Sequence, residues 1–440
     1  MISPPRTKVR APKAVVVGLD GVPYTLLKKL ADQGRLPHVS SIFRSGYFGQ
    51  MSVSVPEISS VSWSSFMTGE QPGEHGIFGF VDLQPGTYKM RFPSLVDLKA
   101  PTLWDDLAVR GKRSVVINMP ATYPAREING VLVSGFVAID MNKAVYPPSL
   151  IPRLKELGYR IDVDTVRARE NPEILFQELH ATIEGRERVA AMLWEEMEWD
   201  LFIVVVTGTD RLMHFQWDSI EDANHPYHQR ALEYLASVDG FVGRMHDRFS
   251  AMDGSQDGKN LFCMLSDHGF TGIKSEVYLN RWLQENGLLR FQKDQPETIA
   301  DIGPGSRAFV LDPSRVYINL KDKYPSGTVD SSDYERIRLD LKNGLEGITF
   351  QNGDRVVSRV CLKEEIYHGP CLDRAPDLVL VPNDGYDLKG RVSSPQVFGR
   401  TNLQGMHTGH DAFFFSSTGR TCGLIFDVKG HILDVMRSSW

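Results

Sequence analysis

The chain has 440 residues, 42% hydrophobic and 24% charged, which excludes a disordered, collagen-like or disulfide-scaffold protein. With 49 Lys and Arg against 55 Asp and Glu, the formal charge is −6. This argues against a duplex nucleic-acid binder, but not against a local basic patch that holds an anionic substrate. No apolar run approaches the roughly 18 residues of a membrane helix, so no transmembrane segment is expected.

The basic, proline-dotted opening MISPPRTKVRAPK is followed by no long apolar run. It reads as a flexible arm over residues 1–12, not as a secretory signal, and it places the protein in the cytoplasm. The remainder, 13–440, reads as one catalytic domain. Residues 14–19 (AVVVGL) form a short β-branched strand ending at the turn signal Asp20-Gly21, and a helix over 23–33 closes at Gly34. A strand is expected over 47–55, helices over 62–68 and 102–110, and strands over 114–118 and 130–136. The segment 137–175 is dotted with proline and weak in strand signal, and reads as part of an inserted cap. A long helix over 173–198, a buried strand over 201–206, a helix over 226–250 and a second buried strand over 261–265 follow. Residues 287–312 are polar and rich in Gly and Pro, and read as a mobile loop that forms a second inserted segment. Ser332-x-x-Glu335 is a capping box opening a helix that stops near Gly344. Strand signals lie at 315–320, 355–361, 377–381 and 422–427. Apolar runs alternating with helices imply an α/β fold whose mostly parallel central sheet is covered on both faces.

In such sheets the functional groups sit at the carboxyl ends of the strands. Asp20 follows the first strand. Asp210 and His214 follow the 201–206 strand at i, i+4, a spacing that shares one helical face. Asp267 and His268 follow the 261–265 strand. Singly, each has a bland alternative: a helix N-cap, a common D-x-x-x-H, a turn with a solvated histidine. Together, carboxylates and imidazoles at one sheet edge suit zinc, manganese or iron better than calcium. The segment PEISSVSWSSFMTG (56–69) crowds serines at a helix start. There they cap backbone N–H groups or, with a metal or base to activate a hydroxyl, supply a nucleophile beside a phosphate-binding helix end.

These residues carry a resemblance. VVVGLDG (15–21), PEISSVSWSSFMTG (56–69), QPGEHGIFGF (71–80), TGTDRLMH (207–214), LSDHGF (265–270) and GMH (405–407) resemble, in order, the alkaline phosphatase superfamily and its type I phosphodiesterase/nucleotide pyrophosphatase branch. Within that branch, RVYINLKD (315–322) and APDLVLVPNDGY (375–386) are similar to segments of cytoplasmic phosphohydrolase/phosphomutase-like proteins. The resemblance implies an alkaline-phosphatase-like fold and a metal-dependent phosphodiesterase or phosphohydrolase acting on small phosphate esters through two divalent ions, zinc first and manganese second. It implies one ion held by Asp20, Asp267, His268 and the hydroxyl of Ser59, and another held by Asp210, His214 and His407. Ser59, three residues after Pro56, takes the place of the nucleophile and forms a phosphoseryl intermediate; Ser60, also expected against the substrate, and Ser64 are the fallback candidates for the nucleophile.

Phe80 stands where nucleotide pyrophosphatases carry an asparagine that binds a phosphoryl oxygen. Phenylalanine donates no hydrogen bond, which weakens the nucleotide reading. The C-x-P-x-R signature of sulfatases is absent. His75 reads as structural, and His410 and His368 as secondary candidates. The alternatives are a phosphomonoesterase, a phosphomutase or phosphotransferase using cap arginines among Arg153, Arg160, Arg167 and Arg169, and a non-catalytic binding protein. A dinucleotide-binding reading of VVVGLDG fails because G-x-G-x-x-G is incomplete. Nothing in the sequence specifies an oligomeric state.

Overall fold

The computed structural model describes residues 11–255 and 259–437; most of the expected N-terminal arm lies outside them. A central sheet of eight strands runs in the order Tyr47–Met51, Ala412–Ser416, Leu261–Leu265, Ala14–Leu19, Leu201–Val206, Ser114–Met119, Gly130–Ser134 and Val145–Tyr146. The five strands from Leu261–Leu265 through Gly130–Ser134 are parallel, and the edges are antiparallel. Every residue of the Ala14–Leu19 and Leu201–Val206 strands is buried, because alternate side chains feed two cores. Val15, Val17, Phe202 and Val204 pack on one face; Val16, Ile203 and Val205 pack on the other. The expected α/β architecture, with a mostly parallel sheet between helical layers, is the observed one.

A second sheet, wholly antiparallel, orders Ala308–Leu311, Arg315–Ile318, Leu378–Pro382 and Val357–Leu362. With helix Tyr334–Glu346 it encloses a third core around Phe309, Ile318, Leu341 and Leu380. Residues 287–312, expected as a loose loop, are folded into this lobe: Ile299 and Ile302 are buried there, and Gly303 N–H donates to Arg290 O at 2.7 Å. The segment 137–175 contains the sheet-edge strand Val145–Tyr146 and the helices Ile151–Glu156 and Thr165–Glu170.

Two strand readings need correction. The strand expected over 47–55 ends at Met51. The apolar run at 422–427 is not a strand. It leads into helix Asp427–Arg437, whose Val428, Ile432 and Met436 recur at helical spacing and bury together. The C-terminal strand of the central sheet is instead Ala412–Ser416, fully buried between two antiparallel partners. Among the described residues no helix is long and apolar enough to cross a membrane.

Candidate active site

The parallel strands deliver their carboxyl ends to one edge. Asp20 directly follows Ala14–Leu19, Asp210 sits in the first turn of helix Gly208–Glu221, and Asp267 and His268 follow Leu261–Leu265. His407 comes from Gly405–Thr408, which pairs antiparallel with Gly269–Gly272, so that His407 faces Phe270. Ser59 is the first residue of helix Ser59–Thr68.

Two glycines make this geometry possible. A Cβ on Gly18 would lie 2.5 Å from Trp63 Cη2, so only glycine lets the indole cross the strand. From there Trp63 Nε1 donates to Asp20 Oδ2 at 3.1 Å. Gly21 adopts φ +71°, a left-handed conformation that glycine tolerates, and its N–H donates to Asp267 Oδ1 at 3.0 Å. The G-L-D-G run is thus a support for two carboxylates.

Each imidazole turns Nδ1 to a backbone carbonyl: His214 to Gly405 at 3.0 Å, His268 to Gly269 at 3.1 Å and His407 to Glu57 at 2.9 Å. A carbonyl only accepts, so each Nδ1 carries the proton and each Nε2 keeps its lone pair. The lone pairs converge. His407 Nε2 lies 3.0 Å from His214 Nε2 and 3.3 Å from Asp210 Oδ1, and His214 Nε2 lies 3.4 Å from that same oxygen. His268 Nε2 is 3.3 Å from Asp267 Oδ2, 3.7 Å from Asp20 Oδ1 and 3.9 Å from Asp210 Oδ1. Asp210 Oδ1 and Asp267 Oδ2 are buried without a hydrogen-bond partner.

Acceptors facing acceptors repel unless a proton or a cation lies among them, and these residue types and their spacing fit a metal cation. Two groups have ligand atoms mutually within 4.8 Å: Asp20, Asp267 and His268, and Asp210, His268 and His407. The electrostatics agree. Burial, then the neighbouring Asp267 and Asp210, push the Asp20 carboxyl well above its usual range. Burial pushes Asp267 up to about 7. Burial holds His214 and His268 down to about 4 and lowers His407 as well, so the rings are neutral and their Nε2 lone pairs are free to accept. Of the three carboxylates, Asp210 is held below the usual range: burial opposes its charge, but the Arg211 guanidinium bonded to Oδ2 favours it.

Ser59 Oγ joins the first group, 3.1 Å from His268 Nε2 and 3.3 Å from Asp20 Oδ1. The helix cap is Ile58, so Ser59 is not spent on capping. Ser60 Oγ is buried with no partner. It borders a hollow with Gly79, Phe80 and Phe136. Ser64 instead bonds back to Ser60 O at 2.7 Å, a structural role. His75 is fully buried, bonded to Ser65 Oγ at 3.0 Å and to Ile77 N–H at 3.1 Å. His410 is exposed and reaches Asp384, away from the cluster.

Several participants were not legible beforehand. Trp63 carried no signal of its own within the serine-rich segment. Arg211 binds Asp210 Oδ2 at 2.8 Å through Nη1, and Asp162 at 2.6 and 3.0 Å through Nη2 and Nε. It also stacks 4.4 Å over Phe136. Its position next to Asp210 in sequence was the one available hint. Beside the cluster a cleft of about 370 Å³ opens, with His214 and His407 on its wall. Phe80 and Phe136 meet edge to face in that wall at 5.3 Å.

A profile for type I phosphodiesterase / nucleotide pyrophosphatase matches residues 14–410. The chain belongs to this family. It is thereby a member of the alkaline phosphatase superfamily and of a group of phosphoester hydrolases. The phosphonoacetate hydrolase of Sinorhizobium meliloti 1021, solved with phosphonoacetate, superposes with a TM-score of 0.63 at 17% identity, covering 97% of this chain and 96% of that one. Murine ectonucleotide pyrophosphatase / phosphodiesterase 5 gives 0.56 at 13% identity over 96% and 95%, and the human protein 0.55 at 12% over 96% and 94%. At these identities the likeness is one of fold. No curated protein matches the chain.

Proposed function

We propose that this protein is a metal-dependent phosphoester hydrolase, most naturally a phosphodiesterase, that works through a phosphoseryl intermediate on Ser59. One observation carries the reading: Ser59 Oγ, at a helix start, meets His268 and Asp20 inside a buried cluster of acceptors suited to a divalent cation. Asp20, Asp267, His268 and Ser59 would hold one divalent ion, and Asp210, His214 and His407 a second, with zinc or manganese suited to both. Bound there, the ions supply Lewis-acid stabilisation of the attacking and leaving oxygens.

The protein's own groups do the rest. The Ser59 hydroxyl proton faces Asp20 Oδ1 and His268 Nε2, both acceptors. As Oγ bonds to phosphorus, the ester oxygen leaves from the opposite side; water then cleaves the P–Oγ bond and restores the serine. The first turn of the helix hydrogen-bonds from Val61 and Ser62 back to Ile58. The N–H groups of Ser59 and Ser60 thus precede the intrahelical ladder and are available to phosphoryl oxygens, beside the Ser60 hydroxyl. The segment 137–175 acts as a cap, since Thr165 and Arg169 line the cleft. Four free, buried cysteines support a cytoplasmic setting.

The test is hydrolysis of bis-p-nitrophenyl phosphate against p-nitrophenyl phosphate, with zinc and then manganese added. A diester preference is expected, lost in Ser59→Ala. Full activity of Ser59→Ala removes Ser59 from the reaction, and no hydrolysis of either ester with either metal refutes the hydrolase reading.

A further inference from the structure

The cleft beside the cluster contains three cations, and two are already committed. Arg211 uses Nε, Nη1 and Nη2 on Asp162 and Asp210. Lys389 is ion-paired with Asp387 at 2.6 Å. Arg169, from the cap helix Thr165–Glu170, has neither a hydrogen bond nor an ion pair among the described residues. Its side chain is exposed at the rim of the cleft, with the guanidinium 5.9 Å from the centre of the Phe215 ring. Of the other cap arginines, Arg153 and Arg160 are paired with Glu196 and Glu178, and Arg167 does not line the cleft. Arg169 and Thr165 lie at i, i+4 and share the face that looks into it.

Much of the wall around these cations is apolar: Ile58, Phe80, Phe136, Phe215, Leu403 and Met406 line it. A cleft of about 370 Å³ is within the usual range for a small-molecule site. An unpaired guanidinium there is a ready partner for an oxyanion, which its planar fork can grip through two nitrogens.

Resting on the hydrolase reading above, we propose that Arg169 binds a second oxyanion of the substrate. The esters this site prefers then carry a carboxylate or a further phosphate, separated by an apolar spacer from the phosphate that reacts at Ser59. Arg169 is a specificity residue here, and the reacting end is handled without it.

The experiment compares phenyl phosphate, 4-carboxyphenyl phosphate and 1,4-phenylene bisphosphate, together with the methyl diesters of the first two, on zinc-loaded wild type and on Arg169→Gln. Product phenols are separated by chromatography. One or both anionic esters should show a lower KM than the phenyl parent in wild type, and which of them does so identifies the oxyanion. Arg169→Gln should raise that KM roughly tenfold, the scale of one charge-assisted hydrogen bond, leaving kcat and the phenyl esters unchanged. Equal KM values across the wild-type series, or a variant that shifts phenyl and anionic esters alike, overturns the proposal. If wild type cleaves none of the esters, the hydrolase reading fails and this proposal falls with it; cleavage of phenyl esters without an anion preference sinks the proposal alone.

Discussion

Asp162→Asn tests whether the segment 137–175 supports the proposed metal site. Asp162 belongs to the cap segment, and Arg211 lies between it and Asp210 with contacts of 2.6 and 3.0 Å on one side and 2.8 Å on the other. The side chains of Arg211 and Asp162 retain only 11% and 14% of their exposure, so solvent screens the pair weakly. Buried Arg186 fixes the preceding backbone by donating to Arg160 O and Ile161 O at 3.3 and 3.0 Å. In the native protein the Asp162 charge offsets the guanidinium. Without it, the guanidinium is balanced by Asp210 alone, 2.8 Å away, and competes with the divalent ion that Asp210 is proposed to hold. Removing one partner of a buried pair costs about 3–5 kcal/mol, with the lower end expected because Asp210 remains. Loss of support to a ligand typically lowers metal affinity about 10–100-fold. The assay is a zinc titration against a chromophoric chelator, with thermal unfolding alongside. Arg153→Gln, which breaks an exposed cap pair with Glu196, serves as the control and should leave zinc affinity unchanged. Asp162→Asn with wild-type zinc affinity and only a lowered melting temperature would refute the argument, leaving Asp162 a purely structural residue.

Gly18→Ala should displace Trp63 and with it the donor to Asp20; zinc affinity and tryptophan fluorescence should both change, and an unaltered indole signal would contradict the packing. Ser64→Ala should retain hydrolysis while Ser59→Ala loses it by at least about a thousandfold, since the nucleophile has no substitute; equal losses would mean that the helix, not the Ser59 hydroxyl, is at stake. Chelated protein should lose stability as pH rises from about 6.5 to 8.5. The sign follows from Asp20 and Asp267, whose raised values leave protons bound in the folded state and not in the unfolded one, so stability falls with pH through the folded value of about 7 for Asp267. Below that window the lowered His214 and His268 act oppositely. Added zinc should abolish the loss, as followed by calorimetry; an equal loss in zinc-loaded protein would place its origin elsewhere.

The ligand types and their order were legible because each follows a buried apolar run, and a parallel sheet sends the ends of such runs to one edge. Asp20, Asp210 and Asp267 needed only that rule. His407 is different: it reaches the cluster through an antiparallel pairing with Gly269–Gly272, and only the family resemblance pointed to it. The 422–427 run was misread because a short apolar stretch does not separate a strand from the approach to an amphipathic helix. Ala412–Ser416 was passed over although it completes the central sheet.

Composition, periodicity and motif order by themselves determined an α/β chain with residue types suited to metal ligation at its strand ends and a serine at a helix start. They do so because burial patterns and strand-end residues are local properties of the chain. Tertiary structure alone decided which atoms meet. The carbonyls of Gly405, Gly269 and Glu57 orient three imidazoles, Trp63 crosses Gly18 to reach Asp20, and Asp162 neutralises Arg211 from 49 residues away. Such contacts join distant segments through the packing of two sheets and a cap, and neither the spacing nor the type of those residues encodes the encounter.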